Sequence, residues 1–501
     1  MPITARIQKG FSSPNLPFIL RTGAGILGFF LGSIIISRIA YPFDSGHLEA
    51  FSWMPAAHLL EGKNPYAFAF TPPYSMVPYG IVYYALLAIG IKFFGFNLWW
   101  GRFLSVLAFA VCVWAVIKIT KKLTGSKEAA WAAGLIIFAL FPAQAWIALM
   151  RSDLIGLAFA FAAVGLVFAS EKNEPTSFFR LAAVILLAVA ALFTKHTLLL
   201  PVGIIFLRFL QLNKWREGVI FCAAVSTLTA GGMFLLNYTS GGGYVWQHFT
   251  HAQALPFSAE KLTDEVWRVI SAPTAVIFGA TLLVFAFQKR AFFDWHDRAG
   301  LVNKLRSPKL LIFFYLFVSF SAAVLSAGRV GANTNYYLEN SFVIAIAGGL
   351  IYEDFRRNAR PKFAFAMIVL MIFGGVFQLV RIGRGEYFRW QARSYYREIS
   401  DTAAQFAPPG SACLSVFAEL VARRGCAFYF DDYGEYIGDW SPELRAIFEN
   451  EVRAGRFAVI VWRKNDLQEE FPNYRLVPMS QNVPERFFPV YLYVRKTGAT
   501  Q

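Results

Sequence analysis

Along this chain apolar residues run almost unbroken for about 20 positions at a time, over residues 18–40, 218–236, 310–327 and 363–380 among others. Charged residues fall mostly between the runs, and each run is about long enough to cross a bilayer core of about 30 Å as a helix. The pattern predicts roughly eleven spans, at 18–40, 98–117, 128–149, 154–170, 178–194, 197–210, 218–236, 268–287, 310–327, 338–352 and 362–382.

Basic residues set the sidedness of these spans. Loops 118–127, 171–180, 208–216, 289–309 and 353–362 are rich in Lys and Arg and belong in the cytoplasm with the N-terminus. The alternate set, around Asp44, Asp153, Lys195, 238–268 and 329–339, then faces the other side. Residues 78–94 are apolar enough to span, but counting them would expel the lysines of 118–127 and invert every later loop. Residues 72–94 are therefore read as a helix in the outer interface. Spans 178–194 and 197–210 are short, yet a hairpin turning at Lys195 keeps Arg208, Lys214 and Arg216 on the basic side. An odd number of spans puts the C-terminus outside.

From about residue 384 the pattern becomes mixed. Strand-like runs appear at 412–417, 427–430, 457–462 and 490–494, and a helix starts at Ser441 and Pro442. The expected organisation is a polytopic helical domain, residues 1–383, with interfacial helices in its outer loop 41–97. A small α/β domain, residues 384–501, follows on the outer, periplasmic side.

Composition agrees with lipid as the main solvent. The chain has 501 residues, 56% hydrophobic and only 16% charged, against about 25% charged in soluble domains. A soluble enzyme is excluded. The net charge of +16 sits largely in the short loops, so it reports topology and not a nucleic-acid groove. Cys112 and Cys222 lie in apolar runs; Cys413 and Cys426 pair if the tail meets an oxidising compartment, and otherwise remain free thiols. The first run is long for a signal peptide and reads as a retained helix, with Arg38 snorkelling from its outer end.

The unusual polar residues sort to the outer face. Asp44, His47 and Glu49 follow the first span and suit a base or a divalent-cation site; the plainer reading is an interfacial turn capped by Asp44. Arg151 suits a phosphate and Asp153 a polar substrate, or else Asp153 merely caps its helix. Lys195, with His196 beside it, has no cytoplasmic anchoring duty and should meet a lipid phosphate, unless it snorkels. Arg329, Asn335, Tyr336 and Glu339 lie on an outer loop whose amides and phenols suit sugar hydroxyls and whose arginine suits phosphate; a capped loop with an exposed Glu is the alternative. His248 and His251 are weak metal candidates on the loop 237–268. No Walker loop, HExxH or GxSxG is present.

The order of these features resembles the GT-C glycosyltransferases that use lipid-linked sugars, notably bacterial members of the family 39 type related to protein mannosyltransferases and the lipid A aminoarabinose transferase. The matching parts are Asp44 after the first helix, the stretch Leu60, Glu61, Gly62, Lys63, Asn64, Pro65 and Tyr66, and Pro72, Pro73 and Tyr74 entering an interfacial helix. Phe94, Gly95, Phe96 and Asn97 with Arg102, then Arg151, Ser152 and Asp153, and finally Leu192, Phe193, Thr194 and Lys195 complete the order.

The resemblance implies a hexosyl- or pentosyltransferase in a bacterial inner membrane. Asp44 would be the catalytic base, Asp153 a second acid and Lys195 a contact to the phosphate of a polyprenyl-phosphate sugar donor. A lipid or glycan would be the acceptor. His47, Glu49, Arg151, His196 and Tyr336, with Arg329, Asn335 and Glu339 added from their sidedness and not from the resemblance, complete the expected substrate-binding set, a divalent metal is an open candidate cofactor, and no nucleic-acid partner is expected. Ser45 stands where protein mannosyltransferases carry a second acid, and no large sugar-binding barrel is present, so protein O-mannosylation is not expected. The competing reading is a transporter or flippase of lipid-linked saccharides, against which stand the absence of a repeated half and the one-sided polar residues.

Overall fold

The computed structural model describes residues 15–45, 49–69, 71, 77–172, 174–251, 257–288, 307–329, 333–358, 361–415, 417, 419–422, 427–428, 442–462, 469, 471–480 and 490–496. Each predicted span is mainly helical, although 128–149 and 268–287 are interrupted. In chain order the helices are α1 Asn15–Ala40, α2 Trp53–Leu60, α3 Ile81–Phe94, α4 Leu98–Thr124, α5 Lys127–Ala139, α6 Ser152–Phe168, α7 Phe178–Leu192, α8 Leu199–Gln211, α9 Trp215–Thr239, α10 Ala259–Ile270, α11 Pro273–Gln288, α12 Pro308–Ala327, α13 Leu338–Arg357, α14 Pro361–Gln391 and α15 Arg393–Phe406.

Among the described residues five helices are long and apolar enough to cross a membrane, α1, α4, α9, α12 and the α14–α15 run. The pair α10 and α11, bent by 78°, makes a sixth if taken as one span, and α3, α6, α7 and α8 are apolar but shorter.

Local chemistry sets the ends. Asn97 caps α4 by accepting from Trp100 N at 3.1 Å, and Gly125 closes it with φ 71°, where a side chain would be strained. Ser126 and Ser177 cap α5 and α7. The expected span 128–149 is broken at Leu140, whose extended backbone and the following Pro142 divide α5 from a single helical turn, Phe141–Trp146.

Helices α4, α5, α6 and α13 form the centre. α5 and α13 meet through small residues: a side chain on Gly349 would meet Ala129 O at 2.9 Å and Ala133 Cβ at 3.0 Å. Large apolar side chains such as Phe29, Phe234, Phe317 and Phe373 point outward, as lipid contact requires.

A second core begins at Ala392. It joins α15 to a five-stranded sheet of order β2-β1-β3-β5-β4, in which β1 is Ala412–Ser415, β2 Ala427–Phe428, β3 Val459–Trp462, β4 Tyr474–Val477 and β5 Tyr491–Arg495. β1 pairs in parallel with β2 and β3, and β5 runs antiparallel between β3 and β4. β4 is the strand the hydrophobic pattern does not show: it lies at the sheet edge with Arg475 and Leu476 exposed. The helix expected from Ser441 is present as α16, Pro442–Arg453. Cys413 is disulfide-bonded, Cys112 and Cys222 are free, and Cys426 lies outside the described residues.

The expectation that Arg38 snorkels is corrected. It is 4% exposed, and its Nε donates to Glu386 Oε1 on α14 at 2.8 Å. Its Nη1 donates to the carbonyls of Gln144 (3.3 Å), Ala145 (2.9 Å) and Ile147 (2.5 Å). The break after α5 leaves buried carbonyls that need donors, and Arg38 supplies them.

Candidate active site

The site is organised around residues 147–151, an irregular segment of which 147–150 are packed inside the protein. Ala148 has a φ of 57°, in the left-handed region that costs a residue with a Cβ, and Ile147 to Met150 are all 0% exposed. Such backbone must find partners, and four different elements provide them. Arg38 serves Ile147 O, Ser105 Oγ on α4 donates to Leu149 O at 2.5 Å, and Tyr83 Oη on α3 donates to Met150 O at 2.8 Å. Glu49 Oε1 accepts from Met150 N at 2.7 Å. The segment thereby delivers Arg151 and Asp153 to the start of α6.

Glu49 belongs to a buried knot. It is 0% exposed and pairs through both oxygens with Arg102 of α4, Nε to Oε1 at 2.9 Å and Nη2 to Oε2 at 2.6 Å. Arg102 also donates to the carbonyls of Arg38, Tyr41 and Phe43, and Ser45 donates to Glu49 through N at 3.1 Å and Oγ at 2.9 Å. Burial alone would push the Glu49 carboxyl up; the charge and hydrogen bonds of Arg102, with Met150 N and Ser45 N, override it and hold the group down at about 2. Asp44, itself buried, accepts through Oδ2 from Glu49 N and from Ala50 N at 3.3 Å, at the start of the turn Ala50–Ser52. The loop after α1 is thus bonded to the segment that presents Asp153. His47 lies outside the described residues.

Asp153, Lys195, Asn335, Tyr336 and Glu339 come together in one cavity of about 120 Å³, which Leu157, Leu198, Leu200, Ser319 and Ala323 also line. Lys195 Nζ bonds Asp153 Oδ1, Asn335 Nδ2 donates to the same oxygen at 2.8 Å, and Lys195 sits 5.2 Å from the Tyr336 ring. Asp153 Oδ2 is buried with no hydrogen-bond partner. Tyr315 Oη on α12 donates to Glu339 Oε1 at 2.7 Å.

The turn bearing Lys195 is pinned from α3. Gly80 N donates to Thr194 O and Val82 N to Phe193 O, each at 3.0 Å. Only glycine allows that approach, since a Cβ at residue 80 would lie 1.9 Å from Phe193 O.

Asp44, Glu49, Arg151, His196 and Arg329 are not among the residues that line this cavity. Arg151 stacks over Tyr79 at 5.2 Å and Trp146 at 5.7 Å. His196 packs against His248 at 5.1 Å and Phe249 at 5.6 Å. His248 turns inward between the carbonyls of Tyr244 (3.1 Å) and Tyr79 (3.3 Å). Burial, then the His248 and Lys195 charges, push His196 down to about 3, and burial pushes His248 down to about 4. Arg329 is exposed at an isolated bridge to Phe257. Among the described residues no three His, Cys, Asp or Glu side chains gather as a metal site would require.

Sequence reasoning did not single out Tyr315, Tyr83 or Ser105. Each is a lone hydroxyl in an apolar run or interfacial stretch, and burial of that kind of group implies a partner.

Residues 77–238 match the dolichyl-phosphate-mannose-protein mannosyltransferase family. No curated protein sequence matches the chain. Among solved structures, ArnT from Cupriavidus metallidurans in the apo state superposes with a TM-score of 0.64 at 12% identity, covering 94% of this chain and 98% of that one. The same protein bound to undecaprenyl phosphate gives a TM-score of 0.60 at 12% identity, covering 95% and 99%. The chain is thus a multi-pass helical membrane protein with the fold of ArnT over nearly its whole length, and its residues 77–238, across α3 to α9, match that mannosyltransferase family.

Proposed function

We propose that the chain is a glycosyltransferase of a bacterial inner membrane that moves a hexose or pentose from a polyprenyl-phosphate donor to an acceptor hydroxyl on a lipid or glycan at the periplasmic face. The observation that carries this reading is the cavity in which Lys195, bonded to Asp153, whose same oxygen also accepts from Asn335, stands at the turn between the short apolar helices α7 and α8. Lys195 gives one of its three donors to Asp153 and can turn another toward a lipid phosphate that approaches at that depth. The fold shared with ArnT, a protein solved with undecaprenyl phosphate bound, supports the donor class. The disulfide at Cys413 supports an oxidising compartment for residues 384–501, which we take as a separate domain from the catalytic residues 1–383.

In the proposed reaction Asp44 removes the acceptor proton, the acceptor oxygen bonds to the anomeric carbon, and the bond from that carbon to the phosphate oxygen breaks. Its electron pair leaves with the lipid phosphate. Lys195 and Arg151 meet the charge that develops there, so their contribution grows toward the transition state. A single displacement inverts the anomeric centre. Asn335, Tyr336 and Glu339 offer hydrogen bonds to sugar hydroxyls.

The test is transfer by the purified chain from a radiolabelled polyprenyl-phosphate sugar. Asp44→Asn is the informative variant, because the amide oxygen still accepts from Glu49 N and Ala50 N and so keeps the turn. Transfer should fall at least about a hundredfold, the scale of a lost general base; transfer at the parent rate would overturn the assignment. Mass spectrometry of envelope lipids and glycans from a deletion strain identifies the sugar and acceptor by the mass that disappears.

A further inference from the structure

The end of the bundle remote from the cavity carries basic side chains that the fold leaves unsatisfied. α8 places Arg208 about 15 Å along its axis from the cavity residue Leu198. After it, Asn213 takes a φ of 58°, Lys214 N donates to Phe209 O at 2.9 Å and Asn213 N to Leu210 O at 3.0 Å, the paired bonds of a Schellman closure. That closure folds Lys214 back against the helix end. Arg208 is 8% and Lys214 6% exposed. Arg208 Nε and Lys214 Nζ are both buried without a hydrogen-bond partner.

Their surroundings neutralise them only in part. Arg208 has one long bond, to Gln211 Oε1 at 3.3 Å, and lies 5.2 Å from the Phe168 ring. Arg180, bonded at 3.4 Å to Ser170 Oγ, is a third cation in Coulomb range of Lys214. Glu217 and Glu174 are the carboxylates in range, and among the described residues neither bonds to Lys214 or Arg208. A lysine that only anchored the loop would reach water and be satisfied there. Buried without a hydrogen-bond partner, these nitrogens have unused donors for an anion.

We infer that Arg180, Arg208 and Lys214 form a second binding site, distinct from the cavity at Lys195, for a phosphate group carried by an anionic lipid headgroup or free in solution. Two guanidinium forks in Coulomb range of one ammonium match the oxygens of a phosphate, and basic pockets between helices at this face of a membrane hold such headgroups. The inference does not depend on the proposed transferase activity.

The experiment compares thermal unfolding of the full chain in phosphatidylcholine nanodiscs, the same with added phosphatidylglycerol, and the first with added inorganic phosphate. Phosphatidylglycerol should raise the midpoint of the parent but not of Lys214→Met or Arg208→Gln. Native mass spectra should show at least about threefold less retained phosphatidylglycerol in both variants, by mass action on a weakened site. Stabilisation by inorganic phosphate alone, lost in the same variants, assigns the site to the free ion.

Lys122→Met, which removes an exposed charge paired with Glu171, should respond as the parent does. In phosphatidylcholine alone Lys214→Met should unfold no earlier than the parent, since it deletes an uncompensated buried charge. The inference is overturned if neither ligand stabilises the parent, or if both variants respond as fully as the parent does.

Discussion

At the scale of single residues, the Asp153–Lys195 pair decides how the cavity works. Asp153 gives one oxygen to Lys195 and Asn335, so its visible task is to hold an ammonium at a fixed point. Removing either charge strands the other in a site that is 2% exposed on the Asp153 side, a change that costs roughly 3–5 kcal/mol when a buried pair is broken. Lys195→Met and Asp153→Asn should each lower thermal stability and abolish measurable transfer. The double variant should recover much of the stability, because no lone charge remains, and none of the activity. A double variant that also regains transfer would show that the pair serves folding only. These residues were legible in the sequence because polar groups at membrane depth are rare. Glu49 was legible as polar, but not as the partner of Arg102, because the two lie 53 residues apart and only packing joins them.

At the scale of elements, the apolar runs gave the helices but not all of their ends, as 128–149 stops at Ala139 and 362–382 continues to Gln391, while the features that aim the site lie in short irregular stretches without periodicity. The break at Leu140, the left-handed Ala148 and the contact of Gly80 with Phe193 leave no hydrophobic signature. The same holds for the turn Trp246–His251, which tucks His248 against His196.

This histidine pair makes a pH prediction with a defined sign. Both rings have folded values below the ordinary 6.5, at about 3 and about 4. The unfolded chain therefore binds protons that the folded chain refuses, and stability is complete above the unfolded value. It declines as pH falls below about 6.5 toward the folded values. Unfolding midpoints measured from pH 7.5 to pH 4.5 (~3 units) should drop, and His248→Phe, which keeps a ring against Tyr244, should flatten the drop. An unchanged slope in that variant would assign the acid sensitivity to other groups.

At the scale of the whole molecule, the two cores are joined at the end of α1. Tyr41 meets Trp390 and Phe43 meets Tyr396, Trp390 Nε1 donates to Ser37 Oγ at 2.8 Å, and Arg38 pairs with Glu386 while holding the carbonyls of residues 144–147. One arginine thus touches both the helix leading to the C-terminal sheet and the segment that positions Asp153. Glu386→Gln leaves Arg38 buried with carbonyls alone, and should cost roughly 3–5 kcal/mol and reduce transfer through the displaced segment. Arg389 binds the same carboxylate at 2.6 Å but keeps more solvent contact, so Arg389→Ala should cost only about 1 kcal/mol or less. Unfolding midpoints and donor KM of both variants in nanodiscs test the asymmetry. Equal losses would mean that Glu386 acts as a general anchor for α14; a loss confined to Glu386→Gln, with KM raised, means that the C-terminal helix helps to set the geometry at Asp153.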